Sequence, residues 1–242
     1  MTKGFRWTRL IPLLALAIAL LIFFATGLHR YLTFSTLKAH REQLLAWTDK
    51  NHVIAAIIYI IIYVIAAAIS IPGATVLTLI GGFLFGLWLG TFYVVISATI
   101  GACLIFLAAK TALSDLLKRK AGKFINKLEK EFKANSMSYL LFLRLVPIFP
   151  FWLINIVAGL FGVTLTIFFI TTFFGIIPGS FVYVSIGNGL GALLAEGKAP
   201  DLSIIFKPAI LLPLLGLAIL SLLPIVYKKW KTKSGGKNEL KK

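Results

Sequence analysis

Arg144 interrupts the run Tyr139-Leu140-Leu141-Phe142-Leu143-Arg144-Leu145-Val146-Pro147, which is otherwise apolar after the tyrosine. An arginine at the centre of a membrane helix costs about 2.5–3.5 kcal/mol on insertion scales. Its guanidinium therefore requires an anionic ligand, a carboxylate, or backbone carbonyls left open near Pro147. The alternative is snorkelling to the interface, because Ser138 stands only six positions earlier. Asn155, in Trp152-Leu153-Ile154-Asn155, is the next polar candidate; its amide could contact a ligand or bridge a break in the helix. No Asp or Glu occurs from 50 to 114 or from 132 to 195. A buried carboxylate relay for protons is thus missing, which weakens an ion-coupled mechanism.

Other chemistry is poorly supported. His29, His40 and His52 lack metal-ligand spacing, and the single Cys103 permits no internal disulfide and no cysteine-based zinc site. Gly187-Asn188-Gly189-Leu190-Gly191 lacks the spacing and the preceding strand of a phosphate loop, so it reads as a helix terminus. No enzyme, cofactor or metal is expected.

The elements that position Arg144 belong to a membrane protein. Of 242 residues, 59% are hydrophobic and 14% charged, and mean hydropathy is +0.95. Soluble domains average about 45–50% apolar and about 25% charged. The net charge of +17 would suggest nucleic acid in a soluble chain. Here the basic residues flank apolar runs and form no groove with interleaved aromatics, so no nucleic-acid partner is expected. Runs long enough to span about 30 Å of hydrocarbon fall at 10–28, 53–71, 91–109, 164–187 and 208–227. The first follows Lys3, Arg6 and Arg9 but lacks a convincing cleavage site, so it reads as a retained helix.

Two further apolar stretches, 72–90 and 138–162, are dense in breakers. The first holds Pro72-Gly73, Gly81-Gly82, Gly86 and Gly90; the second holds Pro147, Pro150, Gly159 and Gly162. Inside a bilayer, broken backbone is tolerated only where protein buries it or water lines it. Both read as re-entrant hairpins or broken helices. They also correspond: the pairs Phe85-Gly86 and Phe161-Gly162 are 76 positions apart, and Pro72 and Pro147 are 75 apart. Interrupted segments at matching places in two halves point to a binding site between inverted repeats.

Loop 110–137 carries eight Lys or Arg and the tail after Tyr227 carries seven, so both are expected on the cytoplasmic side. The same scheme places the N-terminus outside, against its own basic residues, and the number of crossings stays open. Residues 114–133, with Ser114 as N-cap, read as a basic amphipathic helix on the cytoplasmic leaflet; 36–49 reads as a weaker one.

Several of these residues carry a resemblance. Ser70-x-Pro72-Gly73, Gly81-Gly82-Phe83-Leu84-Phe85-Gly86 with Gly90, and Ala98-Thr99-Ile100-Gly101-Ala102 resemble the first half of the VTT domain. Arg144-Leu-Val-Pro147-Ile-Phe-Pro150-Phe151-Trp152, Asn155, Ala158-Gly159, Gly175 and Pro178-Gly179-Ser180 resemble its second half. The chain is similar in this way to SNARE-associated membrane proteins, relatives of bacterial DedA proteins, over roughly 50–190. The resemblance implies two re-entrant hairpins meeting at mid-membrane, and movement of lipids between leaflets, as flippases or scramblases. In DedA-type members, acidic residues of the first hairpin and two arginines of the second are functionally important. Arg144 matches the first arginine, but Pro150 stands at the second and the first hairpin has no carboxylate. These departures favour the proline-bearing VTT branch.

The resulting expectation is an all-α polytopic membrane protein with two re-entrant (broken) helical hairpins in an inverted repeat. Its parts are a first helix and connector (1–50), a VTT core (51–190), and a last helix with a basic tail (191–242). It would move a phospholipid or lipid-linked phosphate, with a transporter of a small ion or metabolite and a non-transporting scaffold as alternatives. Arg144, Pro147, Pro150, Asn155, Ser70, Pro72 and Gly73 are the candidate substrate contacts, and Gly81, Gly82, Gly86, Gly159 and Gly162 shape the hairpins. Membrane lipids are the expected partners, with a head group or small solute as substrate and homo-oligomerisation left open. A bacterial plasma membrane is the expected location.

Overall fold

A computed structural model describes residues 11–27, 39–70, 74–120, 123–190 and 200–239 of the chain. Among them there is no strand. The helices are α1 (Ile11–Ala25), α2 (Arg41–Lys50), α3 (His52–Ala68), α4 (Ala74–Lys120), α5 (Lys123–Ala134), α6 (Ser136–Leu145), α7 (Phe151–Leu160), α8 (Leu165–Asn188) and α9 (Pro208–Glu239). A 3-10 turn, Leu202–Phe206, precedes α9. At its start, Asp201 accepts from the Ser203 amide and hydroxyl and pairs with Lys207 at 3.0 Å. These contacts, Ser203 foremost, hold its carboxyl at about 2.

Among the described residues, three stretches are long and apolar enough to cross a membrane: Thr75–Ala112, Leu165–Asn188 and Pro208–Tyr227. A fourth arises if α2 and α3, bent by 115°, are counted together. Of the five expected spans, 164–187 and 208–227 each correspond to one such stretch. The expected span 91–109 lies within α4, beyond a break in helical backbone at Gly86 that separates it from most of the stretch 72–90. The expected span 10–28 yields a helix of 15 residues, α1, and 53–71 yields α3, which ends at Ala68. The expected start at Ser114 is also overturned: residues 111–120 remain within α4, and a new helix begins at Lys123. Of the expected helix 36–49, the described part lies in α2.

Glycine explains how α4 is built. Gly86 alone inside it leaves helical backbone (φ 73, ψ −173), dividing it into α4a (residues 74–85) and α4b (residues 87–120). That left-handed φ is one that glycine adopts without Cβ strain. Gly162 takes φ 66 between α7 and α8, so both Phe-Gly pairs mark reversals. Gly81, Gly82 and Gly90 stay helical and serve close contact instead. A Cβ on Gly90 would lie 2.7 Å from the Gly81 carbonyl oxygen, so the two halves of α4 fold against each other there.

The two halves of the repeat exchange their short helices. α4a lies on α8, where Gly82 faces the Val184 carbonyl and Gly187 faces the Leu79 backbone. α7 lies on α4b, where a Cβ on Gly159 would come within 2.7 Å of the Phe106 carbonyl oxygen. α3 then closes over α4b at Gly101, which abuts Ala67, and α6 closes over α8 at Gly175, which abuts the Arg144 stem. Two apolar clusters result. One gathers Tyr59, Tyr63, Leu77, Phe85, Val94 and Val184. The other gathers Phe106, Leu140, Ile154, Val163 and Phe168. The outward faces of α1, α3 and α9 remain apolar and exposed, as lipid-facing helices require.

Two tyrosines tie α3 to α4a. The buried Tyr59 hydroxyl donates to the Leu77 carbonyl at 2.8 Å, and the Tyr63 hydroxyl pairs with the Thr78 hydroxyl at 3.0 Å. A buried hydrogen bond contributes about 1 kcal/mol net. Tyr59→Phe should therefore lower the thermal unfolding midpoint in detergent by a few degrees, while Tyr227→Phe, at an exposed ring, should leave it unchanged.

Candidate functional site

α6 ends because Val146 turns extended and Pro147 has no amide hydrogen to continue the ladder. α7 starts with Pro150 at its N-cap (φ −58, ψ 133), whose carbonyl accepts from the Leu153 and Ile154 amides. The break between them leaves Arg144 on the last turn of α6, where a cation is favoured by the negative end of the helix dipole.

The Arg144 guanidinium points inward. Its Nη2 donates to Asn155 Oδ1 at 2.6 Å and to the Thr172 hydroxyl at 2.8 Å. Its flat faces meet two rings, Phe151 at 4.7 Å and Phe168 at 5.3 Å from the centroids. Phe168 in turn stacks on Phe106 at 4.2 Å, and the Lys110 ammonium lies over Phe106 at 5.4 Å while donating to the Val163 carbonyl. This column holds the guanidinium plane without a counter-charge: among the described residues no ion pair includes Arg144. Snorkelling to the interface is therefore not what the side chain does. Arg144 Nε and Nη1 and the fully buried Asn155 Nδ2 have no acceptor among the described residues. Three buried donors on two hydrogen-bonded residues thus have no acceptor among the described residues.

Beyond Phe151 lies a cavity of about 210 Å³. The hydroxyl-bearing residues Tyr63, Ser70, Thr75, Thr78 and Ser180 are among its lining, and no charged residue lines it among the described residues. Phe151 and Trp152 form its wall toward the second half, and the Trp152 ring is 47% exposed, so that side faces outward. Ser70 has φ 57, and its Oγ is buried without a partner among the described residues. The first turns of α4a and α7 both border the cavity, at Thr75 and at Phe151–Trp152. Helix starts carry amide hydrogens without intrahelical acceptors and a partial positive charge.

The structure thus brings together Arg144 and Asn155 directly, with Ser70 across the cavity. Pro147 and Pro150 shape the break rather than reaching into it: Pro147 lies in the turn and Pro150 is an exposed N-cap. Pro72 and Gly73 lie outside the described residues. Gly86 and Gly162 make the reversals, whereas Gly81, Gly82 and Gly159 make helix contacts. The sequence reading named Phe151 only within the resemblance, and it passed over Thr172, Phe168 and the tyrosine–threonine pair. The adjacent hydroxyls Thr171-Thr172 in an apolar helix were the visible sign of one of these.

The residues from 71 to 189 match the VTT domain. Transmembrane protein 41B of Mus musculus is 32% identical over 196 residues, covering 79% of this chain and 65% of that protein. The Gallus gallus protein of that name is 33% identical over 196 residues, covering 79% of this chain and 70% of its own length. The transmembrane protein 41 homolog of Dictyostelium discoideum is 32% identical over 200 residues, covering 81% and 58% respectively. The chain therefore spans less than two thirds of the mouse relative. No solved structure matches.

Proposed function

This chain belongs to the VTT-domain family of SNARE-associated, DedA-related integral membrane proteins, and we propose that it moves phospholipids or lipid-linked phosphates between bilayer leaflets without catalysing a covalent step. The observation that carries this reading is that Arg144 Nε, Arg144 Nη1 and Asn155 Nδ2, on two side chains bonded to each other, are buried without acceptors among the described residues. Each unsatisfied buried donor costs about 1–3 kcal/mol. A phosphate group has the oxygen atoms and the charge to satisfy all three, and guanidinium suits it well.

In this reading a head group enters past Trp152 into the hydroxyl-lined cavity while the acyl chains stay in lipid. The amide ends of α4a and α7 and the uncharged hydroxyls replace its hydration. Phe151, between cavity and guanidinium, yields as the phosphate reaches Arg144. With no Asp or Glu from 50 to 114 or from 132 to 195, proton coupling through a hairpin carboxylate is not part of this reading. The C-terminus is cytoplasmic, supported by the seven lysines after Tyr227. The plasma membrane of a bacterium is the location that goes with the DedA likeness.

Reconstitution into vesicles carrying labelled phospholipid tests this. The expected result is exchange between leaflets well above that of protein-free vesicles and without an ion gradient. Exchange no faster than in empty vesicles would overturn it, and gradient-driven uptake of a small solute in those same vesicles would establish the transporter alternative.

A further inference from the structure

The cavity beside Phe151 occupies, in the first half, the place that the Arg144 guanidinium occupies in the second. The contacts of the fold define the equivalence: α3 corresponds to α6, α4a to α7, and α4b to α8. Gly82 and Gly159 are 77 positions apart, Gly86 and Gly162 are 76 apart, and Gly101 and Gly175 are 74 apart. At the same offsets, Thr78 corresponds to Asn155 (77) and Ala98 to Thr172 (74). In the second half, the last turn of α6 presents Arg144 to Asn155 and Thr172, in front of Gly175. In the first half, the last turn of α3 carries no basic residue. Ala66 and Ala67 of that turn, with Thr78 and Ala98, line the cavity instead.

We infer that this cavity is a subsite for the alkylammonium end of a zwitterionic phospholipid head group, a ligand cation standing where the other half carries its own. This rests on the proposed lipid translocation and names the head group that the same site takes. A cavity of about 150 Å³ already holds a benzene-sized guest, so about 210 Å³ accommodates a trimethylammonium group of comparable bulk. Tyr63, Phe151 and Trp152 supply the aromatic surface that attracts such cations. The C-terminal end of α3, at Ala66, Ala67 and Ser70, gives that side of the cavity a negative dipole end and an unpartnered hydroxyl oxygen. The starts of α4a and α7 border the same cavity, at Thr75 and at Phe151–Trp152, and leave amide donors there for the phosphate. A head group that brings both a cation and a phosphate uses the rings and the amide donors; one with no cation leaves the rings unused.

Two measurements separate the subsite from translocation. In detergent, saturation-transfer NMR with phosphocholine should show transfer to the N-methyl protons, lost in Tyr63→Leu and in Trp152→Leu. Glycerol 3-phosphate should not compete it away at equal concentration. In vesicles, labelled phosphatidylcholine should exchange about five-fold faster than labelled phosphatidylglycerol, a difference of the size cation–π contacts supply. Trp152→Leu, at an exposed ring, should bring the first lipid down to the rate of the second, and it carries the comparison if Tyr63→Leu does not fold. N-methyl transfer that persists in both variants overturns the subsite, as does equal exchange of the two lipids in the unaltered protein. If no lipid exchanges but N-methyl transfer appears and depends on Trp152, the subsite stands and translocation fails.

Discussion

Arg144→Leu is expected to reduce leaflet exchange at least ten-fold, toward the protein-free rate, without lowering the thermal unfolding midpoint. The two readouts part because the arginine is costly where it lies. Its guanidinium has no carboxylate partner, and two of its nitrogens lack acceptors among the described residues. Replacing a buried charge by an apolar side chain of similar volume is often neutral or stabilising. Leucine leaves Asn155 Oδ1 without its donor, a loss of about 1–3 kcal/mol. It also removes an insertion cost of about 2.5–3.5 kcal/mol. These effects nearly cancel, so the fold should survive while the anion contact disappears. Arg144→Lys should fall between: it keeps a charge but loses the planar fork and the stacking on Phe151 and Phe168. Exchange unchanged in Arg144→Leu, or a fall in stability of more than about 3 kcal/mol, would show a residue held for structure alone.

Much of this arrangement was legible in the sequence, and the reason is local. Arg144 was visible because charge in an apolar run has few benign explanations. Both Phe-Gly pairs were visible because they recur at one spacing, and each does reverse the chain. The identity of the other glycines was not readable. A glycine that breaks a helix and a glycine that lets two helices touch look alike in sequence, and only the partner distinguishes them. Gly81, Gly82 and Gly90 are of the second kind, and among the described residues of the stretch 72–90 only Gly86 breaks the helix. The Asn155 and Thr172 contacts to Arg144 span 11 and 28 positions. Asn155 could be suspected because it is polar in an apolar helix; Thr172 gave a weaker sign, since a threonine there more often bonds its own helix, as Thr171 does. The cavity was beyond reach altogether, because it is formed by side chains of both halves that meet only after the short helices exchange.

That exchange makes the contact between α4a and α8 the place where substitution should cost most in stability. A Cβ on Gly82 would collide with the Val184 carbonyl oxygen and lie 2.9 Å from the Asn188 amide nitrogen. A Cβ on Gly187 would collide with the Leu79 carbonyl oxygen and lie 2.8 Å from its carbon. Both sets of obstacles are backbone, so no rotamer change relieves them, and the helices must move apart. Overpacking a core typically costs about 1–3 kcal/mol, and backbone obstacles push toward or beyond the upper end. Gly82→Ala should therefore lower the unfolding midpoint in detergent by ten degrees or so, a scale consistent with about 3 kcal/mol in a chain of this size. Gly82→Val should leave little folded protein. Gly216 provides the control, since nothing lies within 4 Å of a Cβ built there. Gly216→Ala should leave the midpoint unchanged or raise it slightly, because alanine is the better helix former by about 1 kcal/mol. If Gly82→Ala and Gly216→Ala behave alike, α4a does not rest on α8 through this seam, and the exchange of short helices between the halves is wrong. If they differ as expected, the cavity loses its shape together with that contact. Gly82→Ala should then also slow leaflet exchange even at temperatures where the protein remains folded, although Gly82 does not line the cavity.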